Sequence, residues 1–525
     1  MDNVFVLKTV IDAALVKKRG RLYCCFVDFR KAFDSVCRAA LWYKLGTIGV
    51  SGKFIKNLRQ IYSLNKFAVK TSYNYMSAAV SSRTGVLQGC QLSPLLFIIF
   101  INDLIEFLQI PDGDAPLVLD QPVHALLFAD DLVLISRSVN GLQCLLDRLK
   151  LYCESWNLEV NREKTKVMVF KKGSRLANTE RWTYDGQNLE VVREFRYLGT
   201  LFSSNGLWKK HVRAGVGRAR ICASQVMKLS YRCPYLPVSL LLEIYDATVK
   251  SALLYGSEVW GIDAEVALDL PSIFFYKKLL RLPVSTSNVG ILWFLDRDGI
   301  NVSHRAEATL RSLLYWSKIQ AMEVTRLPKI CYLFQQGELS RGTSCWASKI
   351  KMLFESIGLQ ELWREPQAYS RVFRARCTET LSLIERDKLR ERASQYSSLN
   401  TLRVVKTLTG RGAPIVCPTL RMNPERHRWI IMTLLSCPGS LVKRHEGLML
   451  CSACAEPVQD IFCHILAFCI KTPAQLHSNL QHLKNSLVSN PESAAPTLIH
   501  QLFMSETRFR LQREFVALLS SFHGL

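Results

Sequence analysis

Two adjacent aspartates, Asp130 and Asp131, interrupt an otherwise apolar stretch, ALLFADDLVLIS, at positions 125–136. The apolar runs on either side predict two buried strands joined by a tight turn, a place where Asp is common. Side-by-side carboxylates near a buried surface repel each other and lose hydration unless a cation compensates them. The segment alone therefore leaves two interpretations open, a solvated turn and a metal site.

A third acid favours the metal site. Residues 22–29 (LYCCFVDF) form a short apolar run that predicts a strand, and Asp28 lies near its end. If this strand lies beside the 125–136 hairpin in one sheet, Asp28 and Asp130 face a common point. Carboxylates grouped in this way suit a pair of Mg²⁺ ions, which prefer hard oxygen ligands.

The charge of the chain indicates its partners. Sixty-eight Lys and Arg residues against 44 Asp and Glu residues give a net charge of +24. Such a field attracts polyanions, of which nucleic acid is the commonest large one; the alternative is a generally basic protein. Apolar residues make up 49% of the 525 residues, which excludes a disordered chain and predicts two to four packed units.

The sequence predicts no membrane association. No apolar run approaches the roughly 18 residues that suggest a membrane span, and residues 95–101 predict a buried helix that stops at Asn102 and Asp103. The first residues lack the pattern of a signal peptide. The 17 cysteines, an odd number, fit a reducing compartment. We therefore expect an intracellular protein.

Secondary-structure signals divide the chain into an α+β region followed by helical ones. Residues 93–108 have a helical pattern, Leu142 to Trp156 repeat apolar residues at helical spacing, and Val167–Phe170 predicts a further strand. From about residue 206 to 440 helical signals dominate. Residues 441–469 differ again because potential metal ligands crowd there.

Five motifs occur in order, with a sixth segment beyond them. They are FVDFRKAFD (26–34), GVLQGCQLSPLLF (85–97), FADD (128–131), LEVNREKTKVMVF (158–170), YLGTLFSS (197–204) and, further on, YGSEVWG (255–261). Together they resemble the reverse transcriptases of non-LTR (long interspersed) retrotransposons. The resemblance implies a right-hand polymerase palm of antiparallel sheet and packed helices with partial fingers at 1–205. A helical thumb at 206–330, a helical connector at 331–440 and a C-terminal module with a helical tail at 441–525 would follow.

The resemblance also implies roles for individual residues. Asp28, Asp130 and Asp131 would hold two catalytic Mg²⁺ ions, and Phe33 would be the steric gate that rejects a ribose 2′-hydroxyl. The implied contacts to nucleotide and template come from Gln88 and Gly89, and Lys164 would assist the departing pyrophosphate. Ordinary core packing for Phe33 and a solvated surface position for Lys164 remain the alternatives.

A cluster of cysteine and histidine lies near the C-terminus. Cys451, Cys454, His464 and Cys469 have the spacing C-x2-C-x9-H-x4-C. Three thiolates and one imidazole suit a closed tetrahedral zinc site, which folds a small module without taking part in chemistry. Chance placement is an alternative in a chain rich in cysteine, and Cys463 is a rival ligand.

We thus expect an RNA-directed DNA polymerase that uses an RNA template, a DNA primer or target, deoxynucleoside triphosphates, Mg²⁺ and a structural Zn²⁺. Family members carry a fingers region before the first motif, whereas here Asp28 is preceded by only 27 residues. We therefore expect an N-terminally truncated chain, with an endonuclease supplied elsewhere and nuclear localisation as in the family. The alternative is an inactive or domesticated nucleic-acid-binding remnant of such a polymerase.

Overall fold

The computed structural model describes residues 1–395, apart from 71–75, 83, 110–113, 174, 234–235, 237, 265, 281, 296–302 and 365–370, and the short segments 442–445 and 448–451. Among these residues no helix has both the length and the apolar character needed to cross a membrane.

The strands of the described part follow one another in this order: β1 (Arg21–Asp28), β2 (Lys66–Phe67), β3 (Val80–Ser81), β4 (Leu117–Val118), β5 (Gln121–Pro122), β6 (Ala125–Phe128), β7 (Asp131–Ser136), β8 (Lys166–Lys171), β9 (Thr183–Tyr184), β10 (Gln187–Asn188), β11 (Glu190–Val192), β12 (Glu194–Tyr197), β13 (Thr200–Ser203), β14 (Val442–His445) and β15 (Leu448–Cys451).

The α-helices of the same residues are α1 (Asp2–Val16), α2 (Ala32–Ser35), α3 (Arg38–Thr47), α4 (Gly52–Leu64), α5 (Ser93–Phe100), α6 (Leu104–Phe107), α7 (Val139–Trp156), α8 (Lys209–Arg232), α9 (Val238–Tyr245), α10 (Ser251–Leu253), α11 (Ser257–Trp260), α12 (Leu270–Leu279), α13 (Asn288–Leu295), α14 (His304–Gln320), α15 (Leu327–Ser340), α16 (Trp346–Ser356), α17 (Gln360–Arg364) and α18 (Arg371–Ser394). A π-helical turn (Asp246–Lys250) follows α9, and two 3₁₀ turns (Gly261–Asp263, Val266–Asp269) precede α12.

A five-stranded sheet forms the centre of the N-terminal region, with the strand order β11–β8–β1–β7–β6. Strand β1 pairs antiparallel with both β7 and β8, and β6 and β7 form the hairpin that the apolar runs predict. Only the edge strand β11 is parallel to its neighbour. The predicted mixed α and β fold is confirmed, and the strand that carries Asp28 lies next to the aspartate hairpin as expected.

Helix α7 covers one face of this sheet and confirms the prediction from helical spacing. Leu142, Leu145 and Leu149 are fully buried because they recur on one face of the helix. The side chain of Ser138 caps its first turn by accepting a hydrogen bond from the backbone N–H of Gly141 (2.8 Å). The packed face of α7 therefore supports the sheet from behind.

The helix predicted at 93–108 is two helices, α5 and α6, separated at Ile101–Asp103. The side chain of Asp103 accepts hydrogen bonds from Lys44 Nζ (2.6 Å) and the Tyr152 hydroxyl (2.6 Å). The buried ammonium of Lys44 also lies 3.6 Å from the Trp156 ring centroid, a close cation–π contact. The break between the two helices thus contains Asp103, which joins a network of tertiary hydrogen bonds.

Burial of α5 is also less complete than predicted. Leu96, Phe97 and Phe100 are buried, whereas Leu95 and Ile98 are exposed on the opposite face. An apolar run does not by itself distinguish a helix buried on all sides from one that packs on a single face, because every residue in the run is apolar.

The chain divides into two compact units. The first consists of residues 1–211 and 318–353, and the second of residues 212–317 and 354–525. This division differs from the four consecutive regions predicted, because residues 318–353 return to the first unit after a long excursion. The sequence of a helical segment does not indicate which distant segment it packs against, so the sequence pattern does not predict such a return.

Helix α1 accounts for the return. It is buried nearly all round, contacts the central sheet, and packs against α15. The side-chain amide of Gln335 donates to the hydroxyl of Thr9 (2.7 Å), and the rings of Phe5 and Trp346 meet edge-on at 5.0 Å between centroids. A helix that buries side chains on several faces requires partners on each of those faces.

Up to residue 395 the described part of the second unit is helical, as predicted, whereas the described segments beyond it are the paired strands β14 and β15. Trp316 lies at the centre of an aromatic cluster with Phe354, Trp363 and Phe373, at centroid distances of 4.9, 5.6 and 6.1 Å. Stacked and edge-on aromatic pairs of this kind add packing energy beyond the area that they bury. The cluster joins α14 to α16, α17 and α18.

Candidate active site

The aspartate hairpin turns within two residues. Phe128 pairs with Asp131 across the strands, so that Ala129 and Asp130 form the loop. Ala129 adopts a left-handed backbone conformation (φ +52°), which is unfavourable for a residue with a Cβ atom. This tight turn places Asp130 at the tip of the hairpin, beyond the end of the sheet.

Asp28 ends the neighbouring strand, directly opposite Asp131. Its backbone N–H donates to the hydroxyl of the buried Thr165 (3.2 Å), and its carbonyl accepts from the backbone N–H of Asn161 (2.7 Å). The loop at 161–165 therefore holds the end of β1 in place from the other side. The sheet register and this loop together determine where Asp28 lies.

The three carboxylates interact electrostatically. Partial burial of its carboxyl group, although the residue reaches the surface, and repulsion from Asp130 and Asp28 raise the pKa of Asp131 above its ordinary value. Within the described residues, no three acidic, His or Cys side chains approach closely enough to enclose a metal ion. Asp28, Asp130 and Asp131 nevertheless supply hard oxygen donors, the type of ligand that Mg²⁺ prefers.

A cavity of about 380 Å³ opens beside the end of β1. Most of the residues proposed from the sequence share its wall, whose members are Asp28, Phe29, Arg30, Lys31, Ala32, Phe33, Gln88, Asp130, Asn161 and Lys164. Its size lies within the range of about 300–1,000 Å³ that small-molecule sites occupy. Asp131 and Gly89 are adjacent in sequence to wall residues without belonging to the wall.

Phe33 serves the cavity and the core together. It is partly buried and stacks on the fully buried ring of Phe97, with 4.9 Å between the centroids and 28° between the planes. Since Phe33 also lines the cavity, packing and a role as a gate do not exclude each other. The stack restricts the ring to one orientation.

A loop from the second motif forms the opposite wall. Gln88 lines the cavity, and its side-chain N–H donates to the carboxylate of Asp34 (3.0 Å). Gly89 adopts φ +84°, a conformation that glycine tolerates far better than other residues. Sequence elements more than fifty residues apart therefore meet at this cavity.

Comparison with known proteins assigns this region. A sequence model of the family described as reverse transcriptase (RNA-dependent DNA polymerase) matches residues 4–202, which include every wall residue of the cavity. Residues 4–202 belong to the reverse transcriptase family. This reverse transcriptase domain lies within residues 1–205, the region that the motifs predict to be a palm with partial fingers.

Curated relatives of this reverse transcriptase domain come from non-LTR retrotransposons. The RNA-directed DNA polymerase from mobile element jockey of Drosophila melanogaster is 25% identical over 53% of this chain and 30% of its own length. The probable RNA-directed DNA polymerase from transposon BS of the same fly is 28% identical over 46% of this chain and 27% of its own. A Pol polyprotein from retrotransposable element R2 of Nasonia vitripennis is 27% identical over 39% and 20%. The chain matches less than a third of each of these relatives.

Solved structures similar to the chain include telomerases. The telomerase of Candida tropicalis with a TWJ fragment of telomeric RNA has a TM-score of 0.31 at 13% identity and covers 64% of this chain and 52% of its own. A C-terminally truncated apo telomerase of the same organism has a TM-score of 0.29 at 16% identity, covering 39% and 38%. TM-scores of this size carry no part of the family assignment.

Cations line the cavity of the reverse transcriptase domain together with its acids. Lys164 Nζ lies 3.8 Å from the carboxylate of Asp28, and Arg30 pairs with Glu159 at 2.8 Å. Lys31 lies between Arg30 and Phe33 and adopts a left-handed conformation (φ +47°). The side chain of Lys164 is exposed, so its role in catalysis stays a prediction.

Sequence reasoning missed Arg30, Lys31 and Asn161 as cavity residues. Two signals were available. Arg30 and Lys31 are the second and third residues after Asp28 in the first motif, and Asn161 precedes Lys164 by three residues in the fourth. The side-chain oxygen of Asn161 accepts from the backbone N–H of Lys164 (3.4 Å), which ties the two wall residues together.

The predicted zinc ligands fall largely outside the described residues. Cys451 is the last residue of β15, which pairs antiparallel with β14. Cys454, His464 and Cys469 lie outside the described residues. The zinc site stays a prediction.

Proposed function

We propose that the chain is an RNA-directed DNA polymerase of a non-LTR retrotransposon, which extends a DNA 3′ end on an RNA template with deoxynucleoside triphosphates. One observation carries the proposal above all. Within the reverse transcriptase domain, Asp28 and Asp130 share one nucleotide-sized cavity with Phe33, Gln88 and a set of cations. This combination is suited to a substrate that carries both a sugar and a chain of phosphates.

The carboxylates of Asp28, Asp130 and Asp131 would hold two Mg²⁺ ions. Bound magnesium would lower the pKa of a primer 3′-hydroxyl and balance the charge of the departing pyrophosphate. The chain itself supplies the rigid support, because the sheet register and the loop at 161–165 determine the position of Asp28. Most of the catalytic effect would then arise from positioning.

Other residues of the cavity wall would contact the sugar and the triphosphate of the nucleotide. Phe33, held by its stack on Phe97, would exclude a sugar that carries a 2′-hydroxyl. Lys31, Arg30 and Lys164 present positive charge where a triphosphate would lie. Charge-assisted hydrogen bonds from such groups to phosphate are stronger than neutral ones. Gln88 would contact the nucleotide from the opposite wall, with Gly89 beside the template.

Helix α8 would contact the nucleic-acid backbone. It carries seven Lys and Arg residues and no acid over 24 residues. Val212, Val216, Ala219 and Ala223 form its buried face, and the opposite face is exposed and basic. Phosphate contacts of this kind provide affinity that does not depend on sequence.

We keep the zinc module among the proposals. Cys451, Cys454, His464 and Cys469 would bind one Zn²⁺ and close a small module at the C-terminal end. Metal analysis of the purified full chain should return about one zinc per chain. Replacing Cys454 and Cys469 by Ser should remove it, whereas an unchanged zinc content would exclude these ligands.

Action in the nucleus, and an endonuclease supplied by another polypeptide or segment, complete the proposal. They follow from the retrotransposon relatives, whose integration into a chromosome would require both. Imaging of the tagged chain in cells tests the nuclear location. An assay of target-DNA cleavage by the purified chain tests whether the endonuclease is supplied elsewhere.

Primer extension tests the polymerase itself. The full chain is incubated with poly(rA)–oligo(dT), Mg²⁺ and dTTP beside Asp130→Ala and Asp120→Ala, the latter an exposed acid at the β4–β5 turn. We expect extension by the wild type and Asp120→Ala, and none by Asp130→Ala at unchanged RNA affinity. A folded chain that binds RNA without extension would instead support the alternative of an inactive nucleic-acid-binding remnant.

A further inference from the structure

One guanidinium holds the loop that precedes the second motif. Arg38, the first residue of α3, donates from Nη1 to the carbonyl of Ser82 (2.6 Å), from Nη2 to that of Thr84 (3.0 Å) and from Nε to that of Gly85 (2.8 Å). Its guanidinium lies 5.0 Å from the ring centroid of the buried Tyr62. Three carbonyls of one short loop thus depend on a single planar donor group, which a lysine could not reproduce.

The end of this loop lies directly against the segment that carries Phe33. Gly85 adopts φ +79°, and a Cβ atom there would lie 2.8 Å from the carbonyl oxygen of Asp34. The backbone N–H of Gly85 donates to Val36 O and that of Val86 to Phe33 O, both at 2.8 Å. The approach is so close that only glycine fits, and the first and second motifs are joined here through their backbones.

Gln88 follows three residues later, at the cavity wall. Because the carboxylate of Asp34 can only accept, the hydrogen bond of 3.0 Å requires the amide nitrogen of Gln88 to face it. The carbonyl oxygen and the second N–H of that amide are then the groups available to a nucleotide. The position of Gln88 therefore depends on two contacts. One is its own hydrogen bond to Asp34, and the other is the hydrogen bond by which Arg38 holds the backbone at Gly85.

We propose that Arg38 is a positioning residue for nucleotide binding, acting on Gln88 through the backbone of Ser82, Thr84 and Gly85. Arg38 itself does not line the cavity, so its effect passes entirely through the backbone that it holds. The inference rests on the proposed polymerase function and extends it to a residue in the helix behind the site.

The test is a double-mutant cycle with Gln88. The values of KM for dTTP and of kcat are measured on poly(rA)–oligo(dT) for the full chain and for Arg38→Lys, Gln88→Ala and the double variant. We expect Arg38→Lys to raise KM about tenfold with kcat changed by less than about threefold. In the Gln88→Ala background the same change should alter KM by less than about twofold. Independent, multiplicative effects would overturn the proposal.

Lys44→Met provides a matched control in the same helix. The ammonium of Lys44 donates to Phe100 O, Asp103 Oδ1 and the Tyr152 hydroxyl, which lie outside the loop, so its loss should lower stability while KM stays unchanged. If Arg38→Lys changes KM no more than Lys44→Met does, Arg38 only stabilises the fold.

Binding without turnover separates this inference from the proposed function. Equilibrium binding of dTTP is measured on poly(rA) with a dideoxy-terminated primer. A wild type that binds dTTP more tightly than Arg38→Lys, yet extends no primer, would retain the role of Arg38 and remove the polymerase. A wild type that extends primers while Arg38→Lys binds dTTP equally well would remove the role of Arg38 alone. A wild type that binds no dTTP would overturn both.

Discussion

Asp28 and Asp131 face each other across neighbouring antiparallel strands, one at the end of β1 and the other at the start of β7. Like charges directly opposite each other destabilise a sheet. Repulsion from Asp28 and Asp130 accordingly adds to burial in raising the pKa of Asp131. The pair weakens the sheet at this end of β1 and β7 unless a cation lies between the carboxylates.

Removing one charge of this pair should stabilise the metal-free protein. We expect Asp131→Asn to increase the free energy of unfolding by about 0.5–1 kcal/mol in EDTA, because it removes a cross-strand repulsion. Added Mg²⁺ should raise the melting temperature of the wild type but have less effect on the variant. Thermal unfolding with Asp120→Asn as the control measures both. An equal response to Mg²⁺ in all three proteins would argue against a metal site at this pair.

Phe33→Ala should admit ribonucleotides. Without the ring, a 2′-hydroxyl meets no obstacle, and we expect the preference for dTTP over UTP to fall by roughly 10- to 100-fold. The ratio of kcat/KM for the two nucleotides measures it. Phe97→Leu disturbs the same ring stack from its buried side. If that variant relaxes the preference equally, Phe33 contributes packing and no selection.

Lys31→Gly separates charge from backbone strain. Glycine adopts a positive φ readily, so the variant should be as stable as the wild type or more stable by about 1 kcal/mol. Loss of the ammonium should nevertheless raise KM for dTTP about tenfold, as expected for a hydrogen bond between charged groups. Lys31→Arg should restore most of the affinity. A glycine variant with unchanged KM would show that Lys31 serves only the turn.

The basic face of α8 should determine part of the salt dependence of RNA binding. Replacing Arg213, Arg220 and Lys228 by Ala should lower the slope of log K against log salt by about two to three units on duplex substrates. Exchange of Arg371, Arg374 and Arg390 on α18 removes the same charge from a helix where acids alternate with bases. Equal slopes for the two triple variants would place the nucleic acid elsewhere.

Buried His304 should make the second unit sensitive to acid. Burial and the nearby charge of Lys250 lower the pKa of His304 to about 4, outweighing the opposite effect of the Glu307 carboxylate. A folded-state pKa below the unfolded value near 6.5 means that stability is present above pH 6.5 and lost toward pH 4, by up to about 3 kcal/mol.

Asp269 opposes this loss, because burial raises its pKa to about 6 and its protonation favours the folded state as the pH falls. The decisive quantity is therefore the difference between the wild type and His304→Gln in urea midpoint, measured at pH 7.5 and pH 5. We expect the wild type to lose more stability on acidification than the variant. Parallel losses would show that folding does not lower the pKa of His304.

The geometry near Asp28 could be predicted from the sequence because strand periodicity and apolar runs are local signals. Residues 22–29 and 125–136 each indicate a buried strand, and a common sheet is the simplest way to bury both. The roles of Asp28, Asp130 and Asp131, by contrast, depended on the resemblance to a family. Spacing alone left the turn and the metal site equally open.

Other features depend on tertiary contacts that leave no local pattern. The break between α5 and α6 serves Lys44, which is 59 residues away from Asp103 in the chain. The loop that Arg38 holds could not be predicted either, since the three hydrogen bonds from Arg38 join its side chain to backbone carbonyls more than forty residues away. Short-range periodicity contains no information about such pairs.

The contact between Thr9 and Gln335 spans 326 residues of sequence. Ribosomes add about 5–20 residues per second. Tens of seconds therefore pass between the synthesis of α1 and that of α15, the helix that covers its outer face. During that interval one apolar side of the helix can pack on the sheet while the other remains open to water and to other chains. Folding in the cell should therefore depend on chaperones early in synthesis, and premature release before residue 340 should leave an aggregation-prone product.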